Sequence, residues 1–233
     1  MNYLEMFQTN IFSGMMLLIL MIVFHYRLQV PTYRRNILTR LTCLSLLGVI
    51  IEPVTWIFDG KQFFGAFFIE YASNFILMLL PLIIAGHLMI YVDYYVYKNI
   101  NRIKKRYYYM IPAFLTLILL VVNMFYPIYF SVDLETNAYT QGDYYWIQYV
   151  ILFGLYVYLL TFIFSHWKLI DKQAKIIFML FFALPIIGMG IQILNNRVFF
   201  AWTSIAFSIF LMYVLLESTS GDIDYLTKLF SRQ

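Results

Sequence analysis

Residues Phe63 to Val96 read FFGAFFIEYASNFILMLLPLIIAGHLMIYVDYYV. The run contains Glu70, His87 and Asp93 and no lysine or arginine. Crossing about 30 Å of hydrocarbon takes roughly 20 residues of helix, because each residue rises about 1.5 Å. About 34 residues would extend roughly 50 Å, so this helix must tilt or project past the hydrocarbon. Its tyrosine-rich end, Tyr91 to Tyr97, suits the aromatic belt at a membrane interface.

The same reading extends outward along the chain. Further spans are expected at about Thr9–Phe24, about Ile37–Phe58, about Tyr108–Phe130, about Tyr145–Ser165, about Ala174–Leu194 and about Phe199–Leu216, with Arg40 and Lys175 at the loop ends of the second and sixth. The fold class expected is an all-α membrane protein of seven transmembrane helices, spanning residues 1–216, with a short linker and tail at 217–233. Composition agrees: of 233 residues, 63% are hydrophobic, 21% are aromatic and 12% are charged. Soluble domains average about 25% charged residues. The net charge of +4 is spread over short loops, which argues against a nucleic-acid partner. Cys43 is the single cysteine, so the chain has no internal disulfide to form. Glu5 is the only charge at the N-terminus, and Tyr26-Arg27 follow the first apolar run, so no cleavable signal peptide is expected.

Lysine and arginine set the expected sidedness. Arg27, Arg34, Arg35 and Arg40 lie between spans one and two. Lys98, Arg102, Lys104, Lys105 and Arg106 lie between spans three and four, and Lys168, Lys172 and Lys175 between five and six. The alternate loops hold only Lys61 and Arg197. The positive-inside rule then puts the N-terminus outside and the C-terminus in the cytoplasm of a multi-pass cell-membrane protein. The longest loop on the outer side, about Ser131 to Tyr144, is the one with room to form a lid.

Ionisable groups inside a span are costly and mark functional candidates. Glu52 would sit roughly 9 Å below the outer end of span two, and Glu70 roughly 10 Å below the outer start of span three. Trp56 and Asn74 lie one turn from them on the same faces. Other spans bring polar groups to the same level: Asn123, then Gln148 and Tyr149, then Gln192 and Asn195, then Trp202. The inner halves are plainer, mostly Leu, Ile, Phe and Met. Apolar walls with a few convergent polar groups suit a small-molecule site. The carboxyl groups favour a cationic or hydrogen-bond-donating ligand from outside, or themselves sense pH. The competing structural role is hydrogen bonding between helices. His87, Tyr91 and Tyr94 share a helix face, but no second histidine is near in sequence, so no metal site is expected. Pro185, Gly188 and Gln192 lie along one face of span six and would weaken that helix beside the pocket.

The chain closes with Asp224-Tyr-Leu-Thr-Lys-Leu-Phe-Ser-Arg-Gln233. Asp224 suits a helix N-cap, and Leu226, Leu229 and Phe230 follow at helical spacing. The stretch resembles the opening motif of GGDEF domains, D-x-L-T-G-L-x-N-R-R. Asp224, Leu226, Thr227, Leu229 and Arg232 match it; Lys228, Ser231 and Gln233 depart from it. Tyr91-Val-Asp-Tyr94, Asn137-Ala-Tyr-Thr-Gln-Gly142 and Pro185-Ile-Ile-Gly188 with Gln192 are similar to stretches of the multi-span regions that precede GGDEF domains in Gram-positive bacteria. The resemblance implies a membrane sensor that acts as a homodimer and regulates a diguanylate cyclase. That enzyme condenses two GTP molecules to cyclic dimeric GMP with magnesium. The catalytic GGDEF signature is not in these 233 residues, so no cofactor is expected in this segment.

Two other classes remain open. A small-solute or cation transporter would also use buried carboxylates, although no internal repeat is visible. A passive membrane anchor would need none of the outer polar groups. A membrane-embedded enzyme is disfavoured by the lack of H-E-x-x-H and G-x-S-x-G motifs. A retinal receptor of the usual kind would need a lysine between Phe199 and Leu216, where there is none.

Overall fold

In hydrocarbon no water is available to bond backbone N–H and C=O groups, so each apolar segment must satisfy them within itself. Helices do so, and helices dominate the computed structural model, which describes residues 7–26, 32–194 and 200–217. In chain order they are α1 (Gln8–Tyr26), α2 (Thr32–Phe58), α3 (Ala66–Tyr97), the short α4 (Ile100–Lys104), α5 (Ile111–Asn123), α6 (Trp146–Ser165), α7 (Lys172–Leu194) and α8 (Ala201–Met212). A 3-10 turn, Tyr107–Met110, leads into α5, and a π-helical turn, Tyr213–Glu217, continues α8.

Five helices are long and apolar enough to cross a membrane: Gln8–Tyr26, Tyr33–Phe58, Ala66–Tyr97, Trp146–Ser165 and Lys172–Gln192. Two further apolar helices, Tyr107–Asn123 and Ala201–Leu216, are shorter. The chain is therefore a helical, multi-pass membrane protein. The expected fourth span differs at its far end: α5 stops at Asn123, and the chain is non-helical until Phe130 enters a strand. Pro127 has no N–H to extend a helix, and Asn123 draws the following backbone back onto itself, as described below.

The outer face of α1 shows what surrounds it. Asn10, Ser13, Leu17, Leu20 and Phe24 form its buried stripe at spacings of three and four. Ile11, Phe12, Met15, Leu18, Ile19 and Ile22 lie on the remaining surface, each at least 49% exposed. A helix apolar all round needs lipid on its exposed side.

The chain divides into two compact units. One comprises Met1–Leu46 with His166–Gln233. Within it α8 packs on both α1 and α7. Gly188 of α7 makes the second contact close: a β-carbon there would run into Ser204 Oγ and Cβ and lie 2.9 Å from the Phe200 carbonyl oxygen. Phe24 meets Tyr213 edge to face at 4.9 Å between ring centroids. Asp171 Oδ1 accepts from the Ala174 N–H at 2.8 Å and caps the start of α7.

The other unit, Leu47–Ser165, is built around α3. Both α5 and α6 pack on it, as do the turn Tyr107–Met110 and strand β1 (Phe130–Val132). β1 pairs antiparallel with β2 (Tyr139–Gln141), with Phe130 opposite Gln141 and Val132 opposite Tyr139. This hairpin occupies the expected Ser131–Tyr144 loop and is the one β element among the described residues. Met78 of α3, Leu120 of α5, Tyr129, Phe130 and Val132 form the core beneath it.

Candidate functional site

The hairpin is tied to the connection between α2 and α3. Asn137 Nδ2 donates to the Phe58 carbonyl at 3.0 Å, and the Gly60 N–H donates to the Asn137 carbonyl at 2.9 Å. The Tyr139 N–H donates to Asp59 Oδ1 at 2.8 Å, and Gln62 Nε2 to the Glu135 carbonyl at 2.6 Å. Asn137 takes a left-handed φ of 55°, a conformation asparagine tolerates better than most side chains. At the tip, Asp133 Oδ1 accepts from the Thr136 N–H at 2.7 Å, the Thr136 hydroxyl at 2.8 Å and the Glu135 N–H at 3.0 Å. These donors hold its carboxyl below the usual carboxylate range.

Glu70 lies one turn into α3, close to this cover. It is buried, at 1% exposed. Its Oε1 accepts from Asn74 Nδ2 at 2.8 Å, and the same nitrogen donates to the Glu70 carbonyl at 2.9 Å. Its Oε2 is buried with no hydrogen-bond partner among the described residues. On β2, burial pushes the Tyr139 phenol up to about 12, and the neighbouring Tyr149, Glu70 and Asp59 add to the shift. Glu52 is buried at 4% exposed, in the last two turns of α2, where Thr55 Oγ1 donates to the Glu52 carbonyl at 2.8 Å.

Of the candidate ligand residues, Glu52, Trp56, Glu70, Asn74, Asn123, Gln148 and Tyr149 fall in the unit built on α3. Gln192 and Trp202 fall in the other unit, and Asn195 lies outside the described residues. Several have evident structural duties. Asn123 is buried, and its Oδ1 accepts from the Tyr129 N–H at 2.7 Å and the Phe130 N–H at 3.2 Å. Its Nδ2 donates to the Phe130 carbonyl at 2.9 Å and the Tyr71 hydroxyl at 3.1 Å. One amide thus ends α5, starts β1 and ties both to α3. Gln192 Oε1 accepts from the Ala201 N–H at 3.0 Å and the Phe200 N–H at 3.3 Å, so it caps α8.

Gln148 is buried and donates from Nε2 to the Met78 carbonyl at 2.5 Å. That carbonyl lies three residues before Pro81, in the turn whose backbone ladder the proline interrupts. Gln148 Oε1 has no partner among the described residues. Trp56 is 46% exposed and Tyr149 41% exposed, so neither is enclosed. Trp202 is buried. His87 Nδ1 lies 2.9 Å from the Ile83 carbonyl, one turn back in the same helix. No group of three or more His, Cys, Asp or Glu among the described residues could hold a metal.

A second cluster sits at the opposite end of α3 from Glu70. Asp93 is fully buried. Arg102 Nε pairs with its Oδ1 at 2.8 Å, Arg106 Nε approaches its Oδ2 at 3.4 Å, and the Tyr109 hydroxyl donates to that Oδ2 at 2.5 Å. Arg106 Nη1 donates to the hydroxyls of Tyr108 at 2.6 Å and Tyr109 at 2.8 Å. The Arg102 guanidinium lies 3.6 Å from the Tyr97 ring centroid. Sequence reasoning placed Asp93 in a tyrosine belt and missed this network. The signal was present: a carboxylate within a span, with two arginines in the next loop.

No family model, curated protein or solved structure matches the chain.

Proposed function

We propose that the chain is the membrane-embedded sensor of a signalling protein, with its responsive site at Glu70 beneath the β-hairpin. Glu52, Asn74 and Gln148 complete the polar set. The observation that carries this reading is Glu70 Oε2, a buried carboxylate oxygen without a hydrogen-bond partner among the described residues. A buried charge or polar atom left unpaired is costly and is retained where a ligand or a proton completes it. A cationic or hydrogen-bond-donating molecule is the chemistry that fits. The hairpin, pinned to the α2–α3 connection by side-chain bonds, would be the cover that responds to occupancy.

In this proposal the two shorter apolar helices also cross the bilayer, making seven spans with the hairpin outside and the C-terminus in the cytoplasm of a cell-membrane homodimer. The sequence after α8 would lead into a GGDEF output domain that uses GTP and magnesium to make cyclic dimeric GMP. The tail that resembles that domain, Asp224 to Gln233, lies outside the described residues. A passive anchor is the second reading, because Asn123 and Gln192 are engaged with backbone groups of the chain itself.

Thermal melting of the purified chain against a panel of primary amines and polyamines, from pH 5 to pH 8, separates the two. The sensor reading expects a stabilising ligand or a pH-dependent melting shift that Glu70→Gln removes. Identical melting of wild type and Glu70→Gln across all ligands and pH values leaves the anchor.

A further inference from the structure

The five basic residues between α3 and α5 have an ordinary reading as orientation signals. That role needs positive charge in the loop and nothing more. The structure contains more: a cleft of about 600 Å³ lined by Tyr97, Asn99, Asn101, Arg102, Lys105, Arg106 and Tyr108, all within the unit built on α3. Its volume lies in the range of small-molecule sites, about 300–1,000 Å³.

The cations of this cleft are held in place. Asp93, fully buried beneath it, grips Arg102 and Arg106, whose side chains remain 26% and 23% exposed. The Tyr97 ring supports one guanidinium, and the Tyr108 and Tyr109 hydroxyls hold the other. Arg102 spends its Nε on Asp93, and Arg106 spends Nε and Nη1 on Asp93 and the two tyrosines. Both Nη groups of Arg102 and the Nη2 of Arg106 make no hydrogen bond among the described residues. Lys105 is exposed and makes no ion pair among the described residues. Three cations over one carboxylate leave two positive charges uncompensated.

Fixed guanidinium forks with open N–H groups match a tetrahedral oxyanion, and arginine binds phosphate in this bidentate manner. Location specifies which phosphate. The cleft lies between the end of α3, a helix long and apolar enough to cross a membrane, and the apolar helix Tyr107–Asn123, a position that would bring it near the level of lipid headgroups. Tyr107, 79% exposed, and Ile100, 39% exposed, flank it with apolar surface suited to acyl chains.

We propose that this cleft is a phosphate site that takes the headgroup of an anionic phospholipid. The site is independent of the Glu70 cluster. It would couple the geometry of the α3–α5 connection to the lipid composition of the leaflet it faces.

The test counts lipids retained by the purified full chain, by native mass spectrometry, in detergent with graded phosphatidylglycerol or phosphatidylcholine. Phosphatidylglycerol should be retained in preference. Lys105→Gln should weaken that preference about fivefold, the worth of one basic side chain at an anionic surface, without changing the lipid-free melting temperature. Arg106→Lys, which keeps the charge and loses the fork, should weaken it as well. Equal retention of the two lipids, or an unchanged preference in Lys105→Gln, overturns the proposal. Inorganic phosphate is added in a parallel arm, against sodium chloride of equal ionic strength. Displacement of retained phosphatidylglycerol by phosphate beyond that by chloride supports a headgroup seated in the phosphate site; binding of phosphate to the lipid-free chain without any preference for phosphatidylglycerol overturns the headgroup assignment in favour of a soluble phosphate.

Discussion

Asp93 joins α3 to the chain that follows it, and its removal has a size that can be worked out. In Asp93→Asn the shape is kept and the charge is lost. Arg102 and Arg106 then face each other across a site that no longer holds their counter-ion. Breaking a buried ion pair from one side costs about 3–5 kcal/mol, because a charge is left uncompensated. Here the two arginines are 26% and 23% exposed and can turn partly into water, which places the cost near the lower end, about 3 kcal/mol. For a chain of 150–250 residues each kcal/mol moves Tm by about 2–4 °C, so the variant should melt about 6–12 °C below wild type. The assay is thermal unfolding of the purified chain in detergent, read by near-ultraviolet circular dichroism. A double-mutant cycle with Arg102→Gln isolates the pair and should give a coupling energy of about 1–2 kcal/mol. A Tm shift under about 2 °C, or additive single and double mutants, would refute the idea that Asp93 holds this end of α3 together.

Three further outcomes follow from the same kind of reckoning. Asn123→Ala should cost about 3 kcal/mol, since it strands the Tyr129 and Phe130 N–H groups in a buried turn; Asn123→Asp keeps the acceptor oxygens and should cost less, both read by thermal melting. Gly188→Ala should destabilise by about 1–3 kcal/mol through overpacking against Ser204, and Ser204→Gly should recover part of the loss in the double mutant. Asp133, whose carboxyl is held below the ordinary value chiefly by the Thr136 N–H, stabilises the hairpin tip fully above the usual carboxylate range. That contribution fades as pH falls through its lowered value, so the protection factor of the Thr136 amide, its exchange measured relative to the intrinsic rate at each pH, should fall on acidification in wild type and lose this pH dependence in Asp133→Asn.

The helices were legible because lipid leaves the backbone no other choice, and an apolar run of sufficient length states its own structure. The ends were less so. Nothing local marks Phe130-Ser-Val132 or Tyr139-Thr-Gln141 as strands; each is three residues long. They form because Asn123 folds the chain back and because Asn137 and Asp59 pin the hairpin to the α2–α3 connection. The Glu70–Asn74 pair was readable, since residues four apart on a helix are neighbours. The bond from Gln148 to the Met78 carbonyl was not, because it joins residues 70 positions apart. Asn123 and Gln192 were visible as polar groups at the right depth, but sequence alone does not distinguish an amide that turns toward a cavity from one that caps a backbone.

The two carboxylates of α3 make that distinction physically. Asp93 and Glu70 are both buried in the same helix, and the rule that a charge in a span marks function applies equally to both. Their surroundings differ. Both oxygens of Asp93 are engaged, one by Arg102 and the other by Tyr109 and Arg106, so the group is complete and serves to hold its neighbours. Glu70 has one oxygen bonded to Asn74 and one with no partner among the described residues, so it retains a vacant hydrogen-bonding capacity in a place where such capacity is costly. The unsatisfied carboxylate is therefore the one to test for a response to ligands or protons. The satisfied one is the one to test for stability, and what it can present to a ligand is the pair of arginines it orients. If Glu70→Gln changes melting only by a constant offset at every pH and with every amine, the unpaired oxygen is a structural cost without a function, and the distinction fails.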